Sequence, residues 1–425
     1  MQVSRFLARH RMNGKGWPSS VVRAMIVAGT AGALMSAGTA PWAEASRPAA
    51  SAAGGSWSQT DYNAALSRVN LTEHVLTRAT VGRVRYLRGM AAPINLPVGS
   101  ACDTTSVAAP VLAGGGLYAV ANLWLTKYDP ATGRVLWRRG PDPQLLALPL
   151  ALSVADGLVV VGGLGDCDSG SSPGGFIEAF RASTGALVWG HGLDIVQHMV
   201  VSGQYVVTSG DTPDDGNVVA VTSLRTGATV WSRAQGDCCI DLGLVVAGLV
   251  LSTENTDQNG DLELIARQIG TGKTVWTRPG AWALQRGDTD AASGRHVYAT
   301  NPAGIVVDLN PRTGQTSYVL PDAAQVLAVG PARVFATCGT MGVCGYSTAT
   351  GRLLWQASPG FVPALAAEAG GVLYLDQGLA LNVANGAALA TLWAGLTATS
   401  LAVGDGRIAV VTDPRVLDLY GLPGS

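Results

Sequence analysis

From residue 57 onward, apolar residues come in short runs that either alternate with polar ones or fill five to seven positions, broken every 8 to 12 residues by Gly, Asn, Asp or Pro. That spacing predicts strands and tight turns rather than helices. The first complete unit shows the pattern: SVAAPVLA, then GGLYAVAN, then LWLTKYDP, then an ATG turn and RVLWRRG. A longer period lies above this one. Thr-Gly followed by three residues and an aromatic recurs, ending at Trp137, Trp189, Trp231, Trp276, Tyr318 and Trp355. Weaker copies hold Gly82 with Tyr86 and, at NGAALA, Gly386. Successive glycines of the motif are on average about 43 residues apart, the length of one four-stranded propeller blade.

Numbering strands A to D from axis to rim, seven units are complete, with outer strands beginning near Arg134, Ala186, Ala228, Lys273, Gln315, Arg352 and Ala387. Three strands are left over at the C-terminus and one, RVRYLRG, at the N-terminus. Joining them predicts an all-β, eight-bladed β-propeller of four-stranded antiparallel blades. The last blade would pair residues near 83–88 with 415–420, which removes an exposed sheet edge. Period-2 side-chain placement sets Trp137, Trp189, Trp231, Trp276 and Trp355 on one face of each outer strand, buried between neighbouring blades.

These TG-x-x-x-W units resemble the PQQ-like β-propeller repeat with its tryptophan-docking motif, over about residues 57–425. The family includes quinoprotein alcohol dehydrogenases and the propeller lipoprotein of outer-membrane protein assembly. The stretch from Trp57 to Gly89 is similar to the segment that leads into the ring in secreted bacterial members. The resemblance is specific for fold and nearly silent on function.

Composition narrows the remaining choices. Apolar residues make up 48% and charged residues 13%, which supports a sizeable core and excludes disorder along the whole chain. The net charge is −1 and no basic stripe runs along the sequence, so no nucleic-acid partner is expected. Residues 1–23 carry five cationic side chains and no acid; an uncharged stretch over 24–40 and Ala43-Glu44-Ala45 follow. This is the layout of a secretory signal, giving a signal peptide at 1–45, a flexible linker at 46–56 and the propeller at 57–425. An exported chain without a membrane span after cleavage, acting as a monomer in the envelope or outside the cell, is the expectation.

In a propeller the B–C and D–A connections share one face and the A–B and C–D turns the other. All six cysteines then fall on or near the B–C/D–A face: Cys102, Cys167, Cys238, Cys239, Cys338 and Cys344. The vicinal pair in GDCCID resembles the disulfide ring that lies against the cofactor in quinoprotein methanol dehydrogenases; a rigid turn clip has the same sequence. The calcium ligands and catalytic Asp of those enzymes have no counterpart that aligns here. Asp257, Asn259 and Asp261 alternate as hard-oxygen calcium ligands do, as do many polar hairpin tips. Glu254 and Asp211 belong to the same acidic B–C connections. His198, Trp282, Arg286 and Asp288 are placed to face the axial mouth and are the remaining cofactor-site candidates.

No catalytic triad, zinc motif or phosphate loop is present in the sequence. The function read from it is a non-catalytic scaffold presenting its loop face to a protein, glycan or small ligand, with no cofactor. The alternatives are a PQQ- and calcium-dependent oxidoreductase and an envelope-assembly scaffold that pairs with extended strands. Export makes the even cysteine count a disulfide count. Position predicts 338–344 across a hairpin and 102–167 between adjacent blades, leaving 238–239. Non-reducing peptide mapping should recover these three bonds, and a free thiol at Cys338 or Cys344 would overturn the assignment.

Overall fold

The structure is a computed structural model that describes residues 55–424 except 92–108, 122–123, 141–147, 165–174, 194, 213–215, 236–239, 256–261, 289–293 and 414–415. Eight antiparallel blades follow one another along the chain. Their inner strands are 111–113, 148–155, 195–202, 240–246, 283–287, 323–329, 366–369 and 400–404. The outer strands begin at Val135, Leu187, Thr229, Thr274, Thr316, Leu353 and Ala388, each one residue past the position read from the sequence. The eighth blade is closed by Arg85–Ala91, antiparallel to Val416–Gly421 with Arg85 opposite Gly421. The closing pair forms as predicted, a residue or two further along. One difference is a fifth strand in blade 7, Val69–Asn70, parallel to Ala366–Ala369.

The repeated aromatic works as a bolt between blades. Each indole Nε1–H donates to a backbone carbonyl just past the third strand of the next blade: Trp137 to Ala182, Trp189 to Leu224, Trp231 to Ile269, Trp276 to Pro311 and Trp355 to Val383, all at 2.7–3.1 Å. The ring lies flat against the next blade's motif glycine. A Cβ on Gly314 would sit 2.7 Å from the Trp276 ring, and φ is +69° there. Only glycine meets both demands. Trp189 and Trp355 are buried, whereas Trp137, Trp231 and Trp276 are half-buried, because the outer strand is the rim of the ring and one ring edge meets water. Tyr318 takes the same post, its hydroxyl donating to the Thr348 carbonyl and its ring meeting Gly351.

The last two seams have no aromatic in the bolt position: blade 7 has Ala390 there, and Tyr86 of the weak copy in blade 8 is 56% exposed and packs on Tyr420 instead of on the next blade's glycine. Between blades 7 and 8, Trp393 is buried, donates to the Asp376 carbonyl and packs on Tyr420 at 5.5 Å. Between blades 8 and 1, Arg88 lies against Gly133 and donates to the Ala131 carbonyl at 2.6 Å.

Residues 55–76 form a strap around one end of the axis. It bonds to the inner strands of all eight blades, nearly in order. Trp57 exchanges both backbone bonds with Leu112, Ser58 accepts from Val154, and the Gln59 side chain accepts from Val201 N–H. Ala64, Ala65, Ser67 and Arg68 carbonyls accept from Val245, Gly287, Val329 and Glu368, and Asn70 Nδ2 donates to Val403 O. These partners sit at the A–B end of their strands, so the strap lies on the A–B/C–D side. Asp61, Tyr62, Leu66 and Arg68 take positive φ to make its bends. Such conformations persist in non-glycine residues only where surrounding bonds dictate them.

Two predictions follow from this packing. Trp355→Ala should lower unfolding free energy by about 3–5 kcal/mol, because it empties a buried indole site and strands the Val383 carbonyl; a loss under about 1 kcal/mol in denaturant melts would remove the bolt role. The second concerns Glu368, beside the strap, whose carboxyl burial pushes up to about 7 despite the pull of Arg333. The folded chain then holds a proton that the unfolded chain releases near pH 4.5, so this group's contribution to stability falls as pH rises from there to about 7. Glu368→Gln should flatten that part of the profile and raise the melting temperature at pH 8 by roughly a few degrees. An unchanged profile would mean that Glu368 is solvated.

Candidate functional site

Two regions of the described ring gather polar side chains. The first is the D–A end, framed by the opening residues of the inner strands. His198 Nδ1 lies 2.8 Å from Asp241 Oδ1, and both side chains are about half exposed. The Asp241 hydrogen bond and its charge hold the imidazole above its ordinary value against the opposing effect of burial. Ser209 Oγ donates to the same carboxylate oxygen at 3.4 Å. The carboxylate is therefore central, with serine and histidine on either side, and the imidazole is not aimed at the serine. This arrangement can bind polar groups, but it does not activate Ser209 as a nucleophile. Gln285 faces the same region from blade 5, its amide donating to Thr300 Oγ1 at 2.7 Å.

Deeper along the axis the charges belong to the strap. Asp61 pairs with Arg68 and lies 3.7 Å from Arg286 Nη1. Burial raises the Asp61 carboxyl, but the two guanidinium groups outweigh it and hold the group below the usual carboxylate range. Arg286 also donates to the Leu66 and Val326 carbonyls at 2.8 and 3.0 Å. Burial lowers its guanidinium to about 9, with Arg68 acting in the same direction and Asp61 against it.

Several candidates thus have other positions than the sequence suggests. Arg286 is a clamp on the strap rather than a group in the mouth. Trp282 is buried in the core of blades 4 and 5, its N–H on the Pro279 carbonyl and its face under Arg278 at 4.3 Å. Asp288 lies on the A–B connection of blade 5, at the opposite end, where it accepts from Arg295 N–H. Glu254 is buried within a strand and paired with Arg267, so it is no hairpin-tip ligand. Among the described candidates His198 alone stands at the D–A end of the axis. Cys338 and Cys344 are joined across the hairpin of blade 6. Cys102, Cys167, Cys238, Cys239, Asp257, Asn259 and Asp261 lie outside the described residues.

A calcium-bound quinone would need a cluster of hard oxygens at the mouth. Calcium asks for six to eight oxygens. Among the described side chains of the mouth Asp241 is tied to an imidazole, and no cluster of three or more His, Cys, Asp or Glu side chains suited to a metal occurs among the described residues. No helix among them is long and apolar enough to cross a membrane.

The second region was not anticipated. A groove of ≈ 810 Å³ opens on the A–B/C–D side, walled by Tyr205, Leu249, Ile269, Lys273 and Arg312. An adjoining pocket of ≈ 530 Å³ shares Tyr205 and Arg312 and reaches Gln59 and Asn63 of the strap. Lys273, one of only three lysines in the chain, was its one trace in the sequence.

Comparison with known proteins agrees with this architecture. The family described as outer membrane protein assembly factor BamB matches residues 173–326. BamB from Moraxella catarrhalis is similar in structure, with 17% identity and a TM-score of 0.55 over 80% of this chain and 98% of that one. A quinohemoprotein alcohol dehydrogenase from Pseudomonas putida HK5 is similar with 13% identity and a TM-score of 0.61, covering 87% and 81%. That from Comamonas testosteroni gives 13% and 0.58 over the same shares. No curated protein sequence matches the chain. At these identities the structural likeness speaks for the fold alone. The family match over residues 173–326, together with the TG-x-x-x-W bolts and the eight closed blades, is consistent with the PQQ-like β-propeller repeat family.

Proposed function

We propose that the chain is an exported, non-catalytic propeller that holds its B–C/D–A loop face to a partner protein, glycan or small ligand. The observation that carries this reading is the use of charge along the axis. Asp61, Arg68 and Arg286 are consumed in securing the strap, and Asp241 is consumed by His198. What remains on a rigid ring is a set of polar connections, and loops on rigid scaffolds are where binding resides. The family match supports it, since its description names an assembly factor and not an enzyme. In this reading the signal at 1–45 is cleaved, the protein is a monomer of the envelope or the exterior, and no cofactor is needed. Cys238–Cys239 stiffens a turn, and Asp257, Asn259 and Asp261 form a polar hairpin tip.

The likeness to quinohemoprotein alcohol dehydrogenases and the vicinal cysteines favour a second reading, a PQQ- and calcium-dependent oxidoreductase. The donor set of the mouth speaks against it. A third, an envelope-assembly scaffold that pairs with extended strands, differs from the first only in which surface binds.

Two measurements together decide. Protein incubated with PQQ and Ca²⁺ should give no dye-linked alcohol oxidation. A photo-crosslinker at Gln197, on the loop face, should capture a specific partner in the cell of origin, while one at Thr271, on the opposite face, should not. Turnover that Cys238→Ser/Cys239→Ser abolishes would make the oxidoreductase reading the correct one. Capture from Thr271 alone would move the binding face.

A further inference from the structure

The sequence shows no basic stripe, yet closing the ring assembles one. Between Glu73 and Asp103 the chain has no acid and carries Arg78, Arg83, Arg85 and Arg88; between Asp129 and Asp142 it has none and carries Arg134, Arg138 and Arg139. These stretches are far apart in the chain. They become neighbours because Arg85–Ala91 is the outer strand of blade 8 and Val135–Arg139 that of blade 1. Arg88 bridges them through Ala131 and Gly133. Counted likewise from the residue after the motif glycine, the other outer strands are poorer in charge: 273–279 holds Lys273 and Arg278, 228–235 and 352–357 hold one arginine each, and the remaining three hold no Lys or Arg. Like charges are costly to gather on one seam, and here they are gathered on one seam out of eight.

Three features define what this seam fits. Arg83, Arg85 and Arg134 are exposed, and Arg88 and Arg138 half-buried, with Nε of each of the last two sequestered and without a hydrogen-bond partner, whereas Arg139 is turned to the other side of its strand by bonds to Gly185 and Thr184 of blade 2. Tyr86, Val135 and Leu136 are exposed among them at 56%, 40% and 42%. Both strands are hydrogen-bonded along one edge only among the described pairings, Arg85–Ala91 to Val416–Gly421 and Val135–Arg139 to Trp124–Tyr128. An open strand edge offers backbone donors and acceptors to an incoming strand. Guanidinium groups match carboxylates in two-point geometry. Exposed apolar side chains between the arginines suit an occupant that alternates apolar and acidic residues, as a β-strand does. A lipid surface would use the charge and the apolar groups but gain nothing from the edge.

We propose that the seam of blades 8 and 1 is a docking edge for an extended acidic segment of a partner protein. The segment adds as a strand along Val135–Arg139 and sets its carboxylates against Arg83, Arg85, Arg134 and Arg138. This surface is on the outer wall and does not depend on what the loop face binds.

The test uses the full exported chain and a fluorescent dodecapeptide of alternating Glu and Val, read by anisotropy at low salt. Saturable binding is expected, weakened about ten-fold or more by Arg83→Gln/Arg134→Gln/Arg138→Gln and by high salt. An alternating Glu-Pro peptide, which cannot pair with a strand edge, should not bind. Arg134→Glu/Arg138→Glu should switch preference to an alternating Lys-Val peptide. Thermal melts show whether each variant is folded, and the single Arg134→Gln, at an exposed side chain, serves if the triple variant is not. Absence of Glu-Val binding overturns the proposal, as does binding indifferent to the substitutions or equal binding of the Glu-Pro peptide. Capture by phosphatidylglycerol vesicles in place of the peptide would assign the seam to a lipid surface instead.

Discussion

The contact on which the ring depends is an indole laid on a glycine of the next blade. It combines three terms that no single interaction supplies. The ring buries apolar surface between two sheets, its N–H satisfies a carbonyl that the sheet leaves open, and the glycine lets backbone and ring approach within van der Waals distance. Because each bolt joins blade to blade, its geometry fixes the rotation between neighbours, and eight such rotations close a circle. Where the bolt is a tyrosine the hydroxyl reaches the Thr348 carbonyl instead, and the seam keeps its form.

A circle made from an open chain has a seam, and the two chain ends meet there. This protein secures it twice. The outer strand Arg85–Ala91 completes blade 8, and before that the strap makes a circuit of the axis with bonds to every inner strand. The strap costs left-handed backbone at four non-glycine residues and burial of an Asp–Arg–Arg cluster. Such a cluster gives little net stability by itself. Its value lies in position, since Arg286 ties an inner strand of blade 5 to both Asp61 and the Leu66 carbonyl.

Legibility followed from periodicity. The bolts repeat at blade length, so blade number, outer-strand positions and the closing pair could all be read to within a residue or two. The strap could not, because it occurs once and its bends at Asp61, Tyr62, Leu66 and Arg68 carry no glycine to announce them. Trp393 escaped notice for a related reason: it lies three residues past the place the motif reserves, at Ala390. The candidate site was legible only at His198. Its partner Asp241 comes from the next blade, and a sequence does not display which residues of neighbouring inner strands stand side by side. Glu254 misled because an acid at the end of a strand reads as a loop ligand unless Arg267, on the adjacent strand, is recognised as its partner.

The same logic accounts for the distribution of charge. Inside the ring, guanidinium and carboxylate groups are matched one against another. On the rim, cations meet backbone carbonyls rather than acids: Arg139 Nε donates to the Gly185 carbonyl, Arg278 Nη1 to that of Gly314, and Arg88 to that of Ala131. A carbonyl neutralises no charge, so each rim arginine keeps its full field toward solvent. At the seams bolted by Trp137 and Trp276 one such residue stands beside the indole and the field is local. At the closing seam the indole is replaced by Arg88 itself, and the arginines of two outer strands add. The most positive part of the wall therefore coincides with the place where the chain's ends are joined. A change in how that seam is occupied would be felt by the ring's closure before any other part of the fold.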